Sequence, residues 1–319
     1  MSYAENFSFA LSVTAPIFLV MGMGWVLRRA GLIDDAFVET ASQLVFRVAL
    51  PTLIFLNLSQ LDLASVLDLN QLLFALGVTV LGFGLLWATT GWLGLAPENR
   101  GVFVQGAFRG NLGIVGIALC ASLYGNEGLA VGSVLLAVLT FAYNVLSVYA
   151  LAAADGGATP WREIFLNILR NPLIISIVSG TAVTLLGVPL PDLVVDSGDY
   201  FSALTLPLAL LCVGASINRQ AWRAVNKLSS WSVCLKLVVL PALYTGGAVA
   251  MGFNDLLLGT LFVMFAAPTA TVSYVMARAM RGNSELAASL VALSTLLSPI
   301  SLSLGIWMLS SWGFIAPVP

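Results

Sequence analysis

The sequence predicts an all-α membrane protein of ten transmembrane helices, arranged as a 5+5 inverted repeat in which helices 4 and 9 are broken. Three observations carry this. Of 319 residues, 59% are hydrophobic and only 9% charged, with a mean hydropathy of +0.99, more apolar surface than a soluble core absorbs. Landmarks recur at a nearly constant offset. Adding 156 takes Pro16 to Pro172, Gly31 to Gly187 and Pro51 to Pro207; adding 157 or 158 takes Gly101 to Gly259 and aligns GNEGLA from Gly125 with GNSELA from Gly282. Finally, two apolar segments are interrupted at corresponding places, AFRGNLGIVGIAL (Ala107 to Leu119) and AAPTATVSY (Ala266 to Tyr274).

A bilayer is crossed by about 20 apolar residues, and such runs read as spans over 8–30, 36–59, 70–95, 100–123, 127–152, 168–187, 199–217, 229–252, 255–280 and 285–312. Span 1 follows no basic region and no A-x-A-like cleavage site, so it is expected to stay as a helix. Spans 2 and 7 correspond through LPTLIFLNLS and LPLALLCVGAS. In span 4, Gly110, Gly113 and Gly116 flank Arg109 and Asn111 at mid-segment, which predicts unwound backbone. Its counterpart in span 9 is centred on Pro268. Between spans 5 and 6, residues 153–163 (AADGGATPWRE) are polar and turn-rich and read as a linker joining a first repeat, 1–152, to a second, 164–319. An odd number of spans per half makes the halves insert with opposite orientation.

Basic residues set that orientation. Arg28, Arg29, Arg100, Arg162, Arg170, Arg219, Arg223, Lys227, Arg278 and Arg281 all follow odd spans. Loops after even spans hold acids, among them Asp62, Asp68, Glu127, Asp192, Asp196, Asp199 and Asp255. Both termini are therefore expected on the periplasmic face of the inner membrane.

Three cations remain inside spans, and each costs roughly 2.5 to 3.5 kcal/mol at a bilayer centre. Arg47 is read as pairing with Glu39 or snorkelling, and Lys236 as snorkelling to the cytoplasmic side. Arg109 adjoins the break and is read as functional, the alternative being a buried Arg that only caps carbonyls freed by the unwound backbone. The half-helix beginning near Asn111 turns free N–H groups and a positive dipole end into the membrane interior, a natural seat for an anion. At the second break Pro268 frees a carbonyl, and Thr269, Thr271, Ser273 and Tyr274 offer hydroxyls. With Arg109, Gly110, Asn111, Gly113 and Pro268, these are the expected substrate-binding residues. Polar stripes in span 5 (Thr140, Tyr143, Asn144, Ser147) and span 10 (Ser294, Ser298, Ser301) suit either helix-to-helix hydrogen bonds or ion and proton coupling, for which Thr140, Asn144 and Ser298 are the candidates. Gly77, Gly82, Gly84, Gly246 and Gly247 are read as close-packing positions. Cys120, Cys212 and Cys234 lie in apolar segments without metal-ligand spacing. The chain has no His, no P-loop, no GxSxG and no paired carboxylates within a span, so neither an enzyme nor a metal or cofactor site is expected. Its net charge of −2 and dispersed basic residues do not suit a nucleic-acid partner.

On FRGNLGIVGIAL in span 4, LVFRVALPTLIF in span 2, and AAPTATVSYVMARAM with GNSELAASLVALSTLLSPISL in spans 9 and 10, the sequence resembles the auxin efflux carrier family along its whole length, in particular bacterial organic-acid and malonate permeases. The resemblance implies a fold shared with bile-acid symporter relatives. Spans 4 and 9 would cross at mid-membrane, spans 1, 2, 6 and 7 would form an often dimeric scaffold, and spans 3–5 and 8–10 would move against it. It further implies an organic anion bound by its carboxylate at the crossover, with Asn111 and Pro268 matching the family's crossover Asn and Pro. Two departures stand out. Relatives commonly have a Pro where this chain has Gly116-Ile117-Ala118, and sodium-coupled relatives place an acid in span 9, where this chain has only Asp255 at the start.

Together these readings give a homodimeric carrier of a small mono- or dicarboxylate, auxin-like or malonate-like, working by alternating access. A sodium-coupled bile-acid-type symporter is the alternative. A channel is further off, because it would need a polar stripe through the whole membrane. The orientation is testable directly: a C-terminal reporter active only in the cytoplasm should stay silent, whereas a strong signal would remove one span and with it the inverted repeat.

Overall fold

The computed structural model describes residues 3–60, 68–155, 170–217 and 223–316. Those residues form helices and turns, with one isolated antiparallel bridge. In chain order the helices are α1 (Tyr3–Arg29), α2 (Asp35–Gln60), α3 (Leu69–Trp92), α4 (Pro97–Phe108), α5 (Ile117–Asp155, entered through a π turn over Leu112–Gly116), α6 (Pro172–Leu185), α7 (Asp192–Ala215), α8 (Lys227–Ala250), α9 (Asp255–Ala266), α10 (Val272–Ala279) and α11 (Ser284–Ser311). Seven stretches are long and apolar enough to cross a membrane: α1, α2, α3, Leu112–Ala152, α7, α8 and α11. Helices α6 and α9 are apolar but shorter. Within α5, Tyr124 (φ −133°, ψ 15°) and Gly125 (φ 58°, ψ −137°) leave helical geometry, so the chain turns there, where the sequence separates spans 4 and 5. Most of the 153–163 linker, with Arg162, and also Asp62 and Arg219, lie outside the described residues.

Local chemistry sets the helix ends. Asp34, Asp68, Asn171 and Asn283 each accept a hydrogen bond from a backbone N–H in the first turn of α2, α3, α6 and α11, at 2.7, 2.7, 2.9 and 2.9 Å. Asn226 and Ser229 form a reciprocal capping box at α8. Gly31 and Gly187, related by the offset of 156, both stop a helix with positive φ, 76° and 62°. The π turns at 45–49 and 235–239 each run directly into a Leu-Pro pair, Leu50-Pro51 and Leu240-Pro241. A wider turn there relieves the clash between the proline ring and the carbonyl four residues back.

Packing sorts the helices into two groups. Helices α1, α2, α6 and α7 pack on one another, chiefly α1 on α7 and α2 on α6; α3, α4, α5, α8, α9, α10 and α11 form the larger group, and α1 meets α11 and α5 across the seam. The α1–α7 contact is made backbone to backbone. A Cβ on Gly214 would fall on the Met21 carbonyl, and one on Gly24 on the Leu211 carbonyl. The glycines read as packing positions divide differently. Gly82 lies against the Tyr244 hydroxyl and Gly247 against the Phe74 ring, but Gly77, Gly84 and Gly246 face open space. Cys120 and Cys212 are buried, whereas Cys234 is exposed.

Of the cations assigned to spans, Arg47 is exposed and makes no ion pair with Glu39, which instead accepts from Gln43 at 3.5 Å. The pair that forms is Arg28 with Asp35, at 2.7 Å. Lys236 does not snorkel; it is 2% exposed and turned into the protein.

Gly214→Ala should lower stability by about 1 to 3 kcal/mol, because α1 and α7 must separate to admit the methyl group. Gly22→Ala, on α1 directly after Met21 and with nothing within 4 Å of the added atom, should be neutral or raise stability by about 0.5 to 1 kcal/mol. Detergent melting curves of the two variants check the contrast.

Candidate functional site

Helices α4 and α9 both stop inside the protein, and their ends meet. After Phe108 the backbone turns extended at Arg109 (φ −83°, ψ 99°), and after Ala266 it does so at Ala267 (φ −55°, ψ 139°), the conformation that a following proline favours. The two non-helical stretches, 109–111 and 267–271, lie antiparallel. Asn111 N–H donates to the Pro268 carbonyl at 2.7 Å, and Ala270 N–H donates to the Arg109 carbonyl at 3.1 Å. Buried backbone freed by each break is thereby satisfied by the other. Further ties surround the pair. The Thr269 hydroxyl donates to the Gly106 carbonyl at 2.8 Å, Thr269 N–H donates to Ser294 Oγ at 3.0 Å, and Lys236 Nζ donates to the Phe265 carbonyl at 2.8 Å. Gly110 is closely approached here: a Cβ would lie 3.0 Å from Lys236 Nζ and 3.3 Å from the Met264 carbonyl oxygen, so these neighbours would have to give by a few tenths of an ångström.

From the first break, Arg109 sends its side chain to α5. Nη1 donates to the Tyr143 carbonyl and to Ser147 Oγ, both at 3.1 Å, and Nη2 donates to Asn144 Oδ1 at 2.8 Å. Phe108 meets the Tyr143 ring edge to face, centroids 5.4 Å apart. Arg109 and Lys236 are buried, and no carboxylate is buried among the described residues. Two cations are thus buried near the breaks without a buried carboxylate among the described residues.

A cavity of about 250 Å3 opens beside the breaks, lined by Arg109, Gly110, Asn111, Gly113, Thr140, Tyr143, Asn144, Asn171 and Thr271 among others. Asn111 is 7% exposed, stands at the N-terminus of the Leu112 half-helix without capping it through its side chain, and its amide has no hydrogen-bond partner among the described residues. Donor and acceptor are both free to meet a guest. A second, larger cavity of about 760 Å3 adjoins at Thr271 and is lined by Arg28, Asp35, Arg223, Tyr274, Glu285 and Thr295 among others.

The expected site residues therefore divide. Arg109, Gly110, Asn111, Gly113 and Thr271 share the smaller cavity, while Tyr274 lines the larger one. Pro268 and Thr269 do not line either cavity: the carbonyl of the first and the hydroxyl of the second are taken up in holding the breaks together. Ser273 is buried in the first turn of α10 with its hydroxyl unpartnered. Non-helical backbone is confined to 109–111 and 267–271, so Gly113 and Gly116 lie in a π turn and Ser273 and Tyr274 in a helix. Of the coupling candidates, Thr140 and Asn144 line the smaller cavity, yet the Asn144 oxygen accepts from a guanidinium, which repels a metal cation there. Ser298 is elsewhere, buried and bonded to Thr295 within α11. Sequence reasoning missed Asn171 and Lys236 as neighbours of the site. The Asn-Pro start of α6 was a signal for the first; an apparent snorkelling distance concealed the second.

Comparison with known proteins gives the same class throughout. A family model described as "Membrane transport protein" matches residues 9–158 and 161–307. An "Uncharacterized transporter" of Methanothermobacter thermautotrophicus is 25% identical over 298 residues, covering 92% of this chain and 96% of that protein. A second protein described as an uncharacterized transporter, from Methanocaldococcus jannaschii, is 21% identical over 305 residues, 94% of this chain and 98% of its own. A Rhizobium meliloti protein named "Putative malonate transporter" is 23% identical over 294 residues, 89% and 90% respectively.

The Thr269 geometry yields an expected outcome. Thr269→Val keeps the volume but leaves the buried Gly106 carbonyl without its donor, which should cost about 1 to 3 kcal/mol of stability. Detergent melting curves of Thr269→Val and the unaltered protein check that loss.

Proposed function

The chain belongs to the Membrane transport protein family, and from that premise we propose that it is a secondary active carrier of a small organic anion, a mono- or dicarboxylate of malonate-like size, held at the paired helix breaks and moved by alternating access. The observation that carries this reading is Asn111: a side-chain amide without a partner among the described residues, at the N-terminus of a half-helix, facing a cavity beside a buried guanidinium. The free N–H groups of the half-helix and its dipole end supply one attraction for a carboxylate. Arg109 supplies the other, held in place by α5 so that little ordering is needed on binding. The absence of a buried carboxylate among the described residues favours an anionic guest, and the name carried by the Rhizobium meliloti relative favours malonate as its type.

For the movement, the packing of α1, α2, α6 and α7 on one another supports a scaffold of these four helices, with the larger group as the moving body. In this reading the ten spans form the 5+5 inverted repeat, α4 and α9 cross at the midplane, and the scaffold pairs with a second copy. Arg28 and Arg223 line the larger cavity and belong to loops whose basic residues mark the cytoplasmic side. The conformation is accordingly one open to the cytoplasm, with Thr271 where entry path and site join.

The test separates binding from stability. Asn111→Ala removes a side-chain amide with no partner among the described residues, so the melting temperature should hold while the Kd for malonate rises about tenfold or more, the effect of one hydrogen bond to a charged group. Arg109→Ala should weaken binding further, by about 2 to 5 kcal/mol, and should also lower the melting temperature, since three acceptors on α5 lose their donor. Arg109→Lys should recover only part of the affinity, lacking the planar fork. Unchanged malonate affinity and proteoliposome uptake in Asn111→Ala would sink this site.

A further inference from the structure

Lys236 stands nine residues into α8, close enough to its Lys227 start for a long side chain to reach water. It does the opposite. The chain is 2% exposed and spends its ammonium on the carbonyl of Phe265, one residue before the C-terminus of α9, at 2.8 Å. A helix C-terminus presents carbonyls without intrahelical partners and the negative end of the dipole. In interrupted membrane helices such ends coordinate coupling cations. The corresponding end of α4 is closed differently, by neutral donors: Arg109 N–H on the carbonyl of Gln105 at 3.0 Å and Thr269 Oγ1 on that of Gly106 at 2.8 Å. A charge is thus not needed merely to cap a broken helix in this protein. At α9 one is nevertheless delivered, from a neighbouring helix, against the cost of burying an ammonium, and with no buried carboxylate among the described residues to oppose it.

We propose that the Lys236 ammonium is a tethered monovalent cation, occupying the position at the α9 C-terminus where a coupling cation would otherwise sit. The protein then needs no sodium there, and removing the side chain opens a site for a small monovalent cation, sodium or a primary alkylammonium. The Gly110 backbone forms the opposite wall of that site, since its added Cβ would come within 3.0 Å of Nζ. This goes beyond the anion site and does not rely on it.

The test reads melting temperature in detergent at matched ionic strength, with no organic anion present, so it stands or falls apart from the carrier reading. The unaltered protein should melt at the same temperature in sodium, potassium or choline chloride. Lys236→Ala should melt lower by about 5 °C or more. n-Propylammonium, which replaces the atoms removed, or sodium should restore at least half of that loss in a saturable way, and choline should not. Lys236→Met fills the same space with an apolar chain and should be destabilised without any recovery. If Lys236→Ala is too unstable to purify, n-propylammonium is kept present throughout, and folded protein obtained only with it supports the site. Three results overturn the proposal: sodium-specific stabilisation of the unaltered protein, no cation response of Lys236→Ala, or no folded Lys236→Ala even with the amine.

Discussion

Two backbone hydrogen bonds, Asn111 to Pro268 and Ala270 to Arg109, are the constraint on which the rest of the structure depends. Inside an apolar bundle a peptide group without a partner costs several kcal/mol, and lipid offers no water to supply one. Each broken helix is therefore untenable alone. Paired, they satisfy each other and still leave the N-terminus of one half-helix and the C-terminus of another facing the interior. The positive end of one half-helix dipole and the negative end of another are so brought to the paired breaks. The surrounding side chains follow from that arrangement, with Ser294, Thr269 and Ser232 closing backbone groups by hydroxyls and the two buried cations placed on either side of Gly110.

The same constraint explains why the site combines rigidity with charge. Arg109 is bonded to the Tyr143 carbonyl, Asn144 and Ser147, so α5 fixes its fork before any ligand arrives. Burying a guanidinium without a carboxylate is tolerable because acceptors surround it, and these neutral acceptors leave its charge uncompensated. In the proposed carrier, an anion entering the adjoining cavity would meet a field already in place, with no buried carboxylate among the described residues to displace. Lys236 adds to that field from the far side of the Gly110 backbone.

Elsewhere the molecule contrasts close and loose contacts. Helices α1 and α7 meet through Gly24 and Gly214, where no side chain fits between the backbones. Across the seam to the larger group lie both cavities, and polar side chains such as Arg28, Asp35, Arg223 and Glu285 line the wider one. A packed glycine contact resists sliding, whereas a hydrated, charged cleft does not. In the proposed carrier, motion between the two groups runs along the cleft and not within the α1–α7 pair.

How much of this was legible in the sequence follows the range of the interactions. Composition, apolar run length, caps and turn glycines determined the helical membrane class and most helix positions, because each depends on residues adjacent in the chain. The breaks were legible for the same reason: Arg-Gly-Asn and Ala-Pro-Thr within apolar runs cannot continue as ordinary helix. Asn111 was legible as a polar group at a helix start, suited either to a carboxylate or to the opposing chain, and its backbone N–H is found on the Pro268 carbonyl. What a side chain touches across the bundle was not. Thr269 offers the same hydroxyl whether it faces substrate or the Gly106 carbonyl. Asn144 reads as a cation ligand until Arg109 is found on its oxygen, and Lys236 reads as snorkelling until its ammonium is found on Phe265. Sequence alone determined where backbone hydrogen bonding must fail. Tertiary structure decided which groups repair that failure, because the partners come from helices whose mutual approach no local pattern encodes.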